Sequence, residues 1–260
     1  RILLWATALF ALSNIHADVS TPSVFGDHTV LQRDHANPVW GWANSGEHVT
    51  VTIAGNLIRE GRLEWRITLE PLPAGGPHSM IIKAKNTLSY ADVLVGEVWI
   101  CSGQSNMQWP VSKSYDGDLV AATGNSSQIR LISVPQVGTQ EAQNDFMANG
   151  KDALPKQFQR FRRRLAVGLQ LQQALGVPVG LIDNAWGGSA AEAWVRRDIL
   201  ESDKRYSELI ENWEKTTHEY DTEKETATFQ AKLKTWTDNG KTGQRPRAPR
   251  NPLTGNQRPA

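Results

Sequence analysis

The stretch Gly96-Glu-Val-Trp-Ile-Cys-Ser-Gly-Gln-Ser-Asn-Met107 runs an apolar strand directly into a tight, polar turn centred on Ser105. With Val93-Leu-Val ahead of it, Val93–Ile100 forms an almost unbroken apolar run, as a strand covered on both faces requires. A hydroxyl held at the carboxyl end of such a strand is where an α/β protein presents a nucleophile. Gly103 lets the backbone turn sharply, and Asn106 opens the following segment with its amide available. Gly-x-Ser spacing is common to many turns, so the specific signal is the whole string.

Val177-Pro-Val-Gly-Leu-Ile182 and Ile129-Arg-Leu-Ile-Ser-Val134 read as further strands, and the stretch from about Gln159 to Leu175 reads as a helix closed by Gly176. Strand, helix, strand in succession predicts a parallel sheet with helices packed on it. From Thr21 to Val95 the texture differs. Val39–Trp42, His48–Ile53, Leu63–Leu69 and Ser79–Ala84 are short runs punctuated by Asn44–Gly46, Pro73–Pro77 and Lys85–Thr87. Strands at that spacing without a helical period predict a small β-sandwich over residues 18–92. Residues 191–238 are mostly helical. Tyr206, Leu209, Ile210, Trp213, Tyr220, Phe229, Leu233 and Trp236 form one apolar stripe, which predicts a helical insertion over about 196–250.

The ends carry their own expectations. Residues 2–13 are an apolar run behind Arg1, too short to span a bilayer, and match the core of a secretory signal cleaved after Ala17. A secreted or periplasmic protein follows. Asn239–Ala260 is rich in Gly, Pro, Arg and Asn, with no apolar run to finish a domain, so the 93–260 domain is expected to be truncated at Ala260. Cys101 is the single cysteine, so no intrachain disulfide forms, and it reads as a small buried hydrophobe. The net charge of +1 gives no global reason for a polyanion partner. Ten tryptophans are spread along the chain, as core residues or as stacking platforms for sugar rings.

Gly103-Gln-Ser-Asn-Met107 resembles the nucleophile block of the sialate O-acetylesterase family, a branch of the SGNH hydrolases. Gly180-Leu-Ile-Asp-Asn-Ala-Trp-Gly-Gly-Ser189 with Glu192-Ala-Trp194 resembles that family's second block, Ser189 standing for its threonine. Ser23–Gln32, Val39–Trp42 and Ala74–Pro77 resemble its preceding β-domain, and Asn251–Ala260 the loop before its next block. The likeness covers most of residues 20–260. It implies an α/β fold: an N-terminal β-sandwich-like domain, then an incomplete SGNH-type three-layer α/β/α domain with a helical insertion. It also implies a serine carbohydrate O-acetylesterase with no metal or organic cofactor. Ser105 is then the nucleophile, and the Ser105 and Gly188 backbone amides hold the oxyanion. Gln104, Asn106, Trp186 and Gly187 contact the substrate. The implied partner is O-acetylated sialic acid or another acetylated glycan, with no nucleic acid, and no membrane once the signal is removed.

Two departures qualify the likeness. The family's later Gln-Gly-Glu and Asp-x-x-His blocks are missing, and none of the six histidines has an aspartate three residues before it. The catalytic pair is therefore expected beyond Ala260 and the 260-residue chain is expected to be inactive. His218, on the charged helical stretch, reads as a surface residue. Met147–Leu165, with Lys151, Lys156, Arg160, Arg162, Arg163 and Arg164, replaces a mostly neutral helix. Three consecutive arginines are costly on a helix that buries a face. Either the segment is read in a shifted frame restored near Gln170, or it is a basic patch for an acidic glycan. An acetylxylan-type esterase fits the nucleophile block equally well. A non-catalytic glycan-binding protein is the rival from another class, and binding of an acidic polymer through Arg160–Arg164 and Arg245–Arg258 is a third.

Overall fold

Burial alternates residue by residue along Asn37–Trp42, inward at Asn37, Val39 and Gly41, which is the period-two signature of a strand with one covered face. In the computed structural model, which describes residues 18–54, 56–58, 64–110, 115, 117, 127–139, 141–146, 164–249 and 251–253, this segment is the second of nine strands among the described residues. The expected signal segment 1–17 and all but the last two residues of the arginine-rich segment 147–165 lie outside the described residues. The chain divides into two compact units, Arg1–Glu97 and Val98–Ala260.

The first unit contains β1 (Val30–Gln32), β2 (Asn37–Trp42), β3 (Thr50–Ile53), β4 (Asn56–Ile58), β5 (Glu64–Leu69), β6 (Gly75–Lys83) and most of β7 (Thr87–Gly103). β2 and β5 pair antiparallel, Asn37 opposite Leu69 and Trp42 opposite Glu64. The order β4-β3-β6-β7 is antiparallel throughout, and β1 runs parallel to β7 with Val30 opposite Leu94. One core draws on both sheets: Val39, Trp65 and Leu69 from one, Val51, Ile53, Met80, Ile82, Val93 and Val95 from the other.

Two expectations need correction. Pro73–Pro77 was expected only to separate strands, yet β6 begins at Gly75, which lies opposite Val95 ahead of a register shift at His78. A bulged strand start admits glycine and proline that a regular ladder rejects. The run Val93–Ile100 was expected to be covered on both faces. Val93–Gly96 are buried, but Trp99 is 47% and Ile100 67% exposed. An apolar run states what a strand can bury, while its cover comes from other segments.

The parallel pair β1–β7 is fastened at its end by charge. Arg33 Nε donates to Glu97 Oε1 (2.8 Å), Gln32 Nε2 donates to Glu97 Oε2 (3.2 Å), and Arg33 N–H donates to the Gly96 carbonyl (2.8 Å). The Arg33 hydrogen bond, helped by Gln32, holds the Glu97 carboxyl below its ordinary 4.5. A depressed folded-state pKa adds stability that is complete above the unfolded value and is lost as pH falls through the folded one. Glu97→Gln is therefore expected to cost on the order of 1 kcal/mol at pH 7. The gap from the parent should close progressively below about pH 4.5. Urea unfolding at several pH values measures this; a pH-independent gap would mean the ion pair contributes nothing.

The second unit begins in β7, whose last residues, Val98–Gly103, head a sheet ordered β7-β9-β8. β8 (Ile129–Ser133) and β9 (Val179–Ala185) are parallel, Ile129 opposite Val179 and Ser133 opposite Asp183. Parallel neighbours need a crossover, and it carries α2 (Arg164–Leu175), which packs on both strands. Cys101, Ile129, Val179 and Leu181 form the core there, with Leu169 and Leu171 of α2 against it. After β9 come a 3₁₀ turn (Ala191–Trp194), α3 (Arg197–Ser202), a second 3₁₀ turn (Lys204–Tyr206), α4 (Ser207–Glu219) and α5 (Thr222–Asp238), with Asp221 capping α5 through the Lys224 N–H (3.0 Å). The expected stripe is present but only half-buried from Leu209 to Trp236, and Tyr206 is exposed. His218 is exposed on α4.

Candidate active site

β7 ends at Gly103, Gln104 caps the next turn in an extended conformation, and α1 (Ser105–Gln108) follows at once. Met107 and Gln108 N–H both donate to the Gln104 carbonyl (3.0 and 3.2 Å), and Met107 packs against Cys101 and its neighbours. The turn is thus held from below by an apolar anchor, while Gln104, Ser105 and Asn106 remain exposed. The N–H groups of Ser105 and Asn106 come ahead of these bonded ones, where a helical turn offers no partner of its own.

The end of β9 comes alongside. Trp186 N–H donates to the Gly103 carbonyl (2.8 Å), so the two strand ends are tied where they leave the sheet. Gln104 Nε2 donates to the Ser189 carbonyl, linking the residue before Ser105 to the residue after Gly188. Gly187 is backed against α1: a Cβ there would stand 2.5 Å from Gln108 Oε1 and 3.3 Å from Ser105 Cα. Gly188 has φ +81°, which an L side chain rarely adopts. Five of the six residues expected from sequence, Gln104, Ser105, Trp186, Gly187 and Gly188, therefore lie in two segments that touch. Asn106 follows on α1 as an exposed residue.

Sequence reasoning did not single out what holds these segments together. Gln108 Nε2 and Gln136 Nε2 both donate to the Ala185 carbonyl (3.0 and 2.9 Å). The Ala185 N–H donates to Oδ1 of Asp183, a buried residue whose other oxygen accepts from Ser133 Oγ (3.4 Å). Ala185, the residue that launches the Trp186–Ser189 turn, is thus held at both its N–H and its carbonyl. Nothing in the sequence marks Gln108 or Gln136, because the partner of an amide side chain is set by tertiary placement. Beyond the glycines, Ser189 Oγ donates to the Trp186 carbonyl (2.7 Å) and accepts from Trp194 Nε1 (2.9 Å).

Such an arrangement can hold an exposed hydroxyl beside backbone donors of a glycine turn, the two things that acyl transfer asks of a serine site besides a base. Among the described residues of the second unit the only histidine is His218.

Residues 95–239 match the family described as carbohydrate esterase, sialic acid-specific acetylesterase. Among curated proteins, the chain is 29% identical to sialate O-acetylesterase of Mus musculus over 69% of its length, and 30% identical to that of Homo sapiens over 66%. It spans 38% of the length of each of those relatives. Among solved structures, a carbohydrate acetylesterase from Xanthomonas citri superposes with a TM-score of 0.65 at 31% identity, over 73% of this chain and 45% of that one. The fold is mixed α/β, and the chain belongs to the carbohydrate esterase family of sialic acid-specific acetylesterases.

Proposed function

We propose that the chain carries the nucleophile and oxyanion segments of a serine carbohydrate O-acetylesterase that releases acetate from O-acetylated sialic acid. The observation behind this is the packing of Gly187 against Ser105, which brings an exposed hydroxyl and a glycine turn into one place. Ser105 Oγ attacks the acetyl carbonyl, and the Ser105 and Gly188 N–H groups receive the negative charge that develops on its oxygen. The proton passes to a histidine of Asp-x-x-His type, which these 260 residues do not contain. It then goes to the departing sugar oxygen, and water releases acetate from the acyl-serine by the same route in reverse. Gln104, Asn106, Trp186 and Gly187 line the acetyl side of the site.

The finer layout belongs to the same proposal: a β-sandwich-like domain over 18–92, then SGNH-type α/β/α layers over 93–260 interrupted by a helical insertion at about 196–250. So does export to the periplasm or the exterior on the strength of residues 2–13, with no nucleic-acid partner and no lasting membrane attachment. Acetylated xylan is the second substrate class, since the solved relative from Xanthomonas citri is described by acetylated carbohydrate in general.

The test measures acetate release from O-acetylated N-acetylneuraminic acid and from acetylated xylan. It compares the 260-residue chain with a protein extended through the reading frame beyond Ala260. Release by the extended protein alone is expected, fastest on the sialate. Release by neither would sink the esterase reading, and release by the short chain would place the base within it.

A further inference from the structure

We propose that Trp194 is a fixed aromatic platform on which a pyranose ring of the glycan stacks beside the reacting acetyl group. The inference deepens the esterase reading and rests on it for the position of the acetyl group. The indole is 40% exposed. An exposed indole offers an apolar face that the C–H face of a sugar ring can cover, removing both surfaces from water. The ring does not swing freely: its Nε1–H donates to Ser189 Oγ (2.9 Å), which itself donates to the Trp186 carbonyl (2.7 Å). With its one polar atom engaged, the indole offers only its apolar body, held in a set orientation. That orientation is referred to the site, because Ser189 follows Gly188 and its carbonyl accepts from Gln104 Nε2, the residue before Ser105. A sugar on this platform has its acetylated hydroxyl near the proposed nucleophile.

The contact made at the platform itself is with the face of a sugar ring and not with a charge on the sugar. The two following cations are already paired, Arg196 with Asp198 and Arg197 with Glu201, each at 2.5 Å. The share of binding lost in Trp194→Ala should therefore be nearly independent of salt.

Saturation-transfer NMR with two deacetylated probes, N-acetylneuraminic acid and xylobiose, reads the platform without any chemistry. The parent chain is expected to bind at least one of them. Trp194→Ala should weaken that binding roughly tenfold or more, whereas Trp194→Phe, which keeps a stacking face, should retain most of it. Ser189→Ala leaves the indole in place but unfastened and should weaken binding by an intermediate factor, so a misfolded Trp194 variant would not decide the matter. Equal affinity in parent and Trp194→Ala, or no binding of either sugar by the parent, overturns the proposal. Trp194-dependent binding in a protein that never hydrolyses acetyl esters would sink the esterase reading and leave the platform. Hydrolysis with Trp194-independent binding would do the reverse.

Discussion

On the proposed mechanism, Ser105→Ala should lower kcat/KM for acetyl esters by roughly 10⁴- to 10⁶-fold in a protein that carries the Asp-x-x-His base. The expectation follows from the division of labour at the site. In the proposed mechanism the glycine turn and the first helical N–H groups would stabilise charge in the transition state, whereas only the hydroxyl would form the acyl intermediate, and water reaching the same carbonyl would have no oriented base to exploit. Because Ser105 is exposed and its side chain holds no part of the core, the alanine should change stability by less than about 0.5 kcal/mol. Ser102→Ala, an exposed position in β7 three residues upstream, is the matching control and should leave turnover unchanged. Residual activity above about a tenth of the parent in Ser105→Ala would remove Ser105 from the mechanism, whatever the family likeness.

Much of the fold was legible in the chain because the elements that matter most are also those with the plainest periods. β2, β3, β5, β8 and β9 sit within a few residues of their apolar runs, and the apolar stripe from Leu209 to Trp236 lies on α4 and α5 with Tyr220 at the break between them. What escaped is short or depends on partners. β1 and β4, three residues each, are too brief to show a period, and β1 exists as a strand only through its ladder with Leu94–Gly96. β7 starts six residues before its apolar run, because from Thr87 to Asp92 it is a half-covered strand with alternating burial. At the site, the backbone turn could be read from Gly103, Gly187 and Gly188, since glycine records what the main chain must do. The clamp of Gln108 and Gln136 on the Ala185 carbonyl could not, because an amide side chain takes whichever partner the fold brings to it.

Gly41→Ala should destabilise the first unit by about 3 kcal/mol or more. A Cβ at Gly41 would stand 2.0 Å from the Ser20 carbonyl oxygen and 2.9 Å from Cζ2 of the buried Trp65 ring. The clash is with backbone, so no rotamer change relieves it. Ser20 cannot simply retreat, for it exchanges two 2.9 Å hydrogen bonds with Trp42, one in each direction. The residue before it is pinned as well: Val19 N–H donates to Asn86 Oδ1 (2.7 Å), Asn86 Nδ2 donates to the Val19 carbonyl (3.2 Å), and Val19 itself is 2% exposed. On the far side, Thr21 Oγ1 and the Tyr90 hydroxyl are 2.6 Å apart. Admitting the methyl therefore means giving up the Ser20–Trp42 bridge or the Asn86 clasp, and either choice exposes Val19. For a unit of this size the loss should lower its melting temperature by more than about 10 °C. Gly26→Ala, where the added methyl meets nothing within 4 Å, should stay within about 0.5 kcal/mol of the parent. Thermal and urea unfolding of both variants decides the point. If Gly41→Ala unfolds with the parent, residues 19–21 do not lie over β2 in solution and the edge of this sheet is open there.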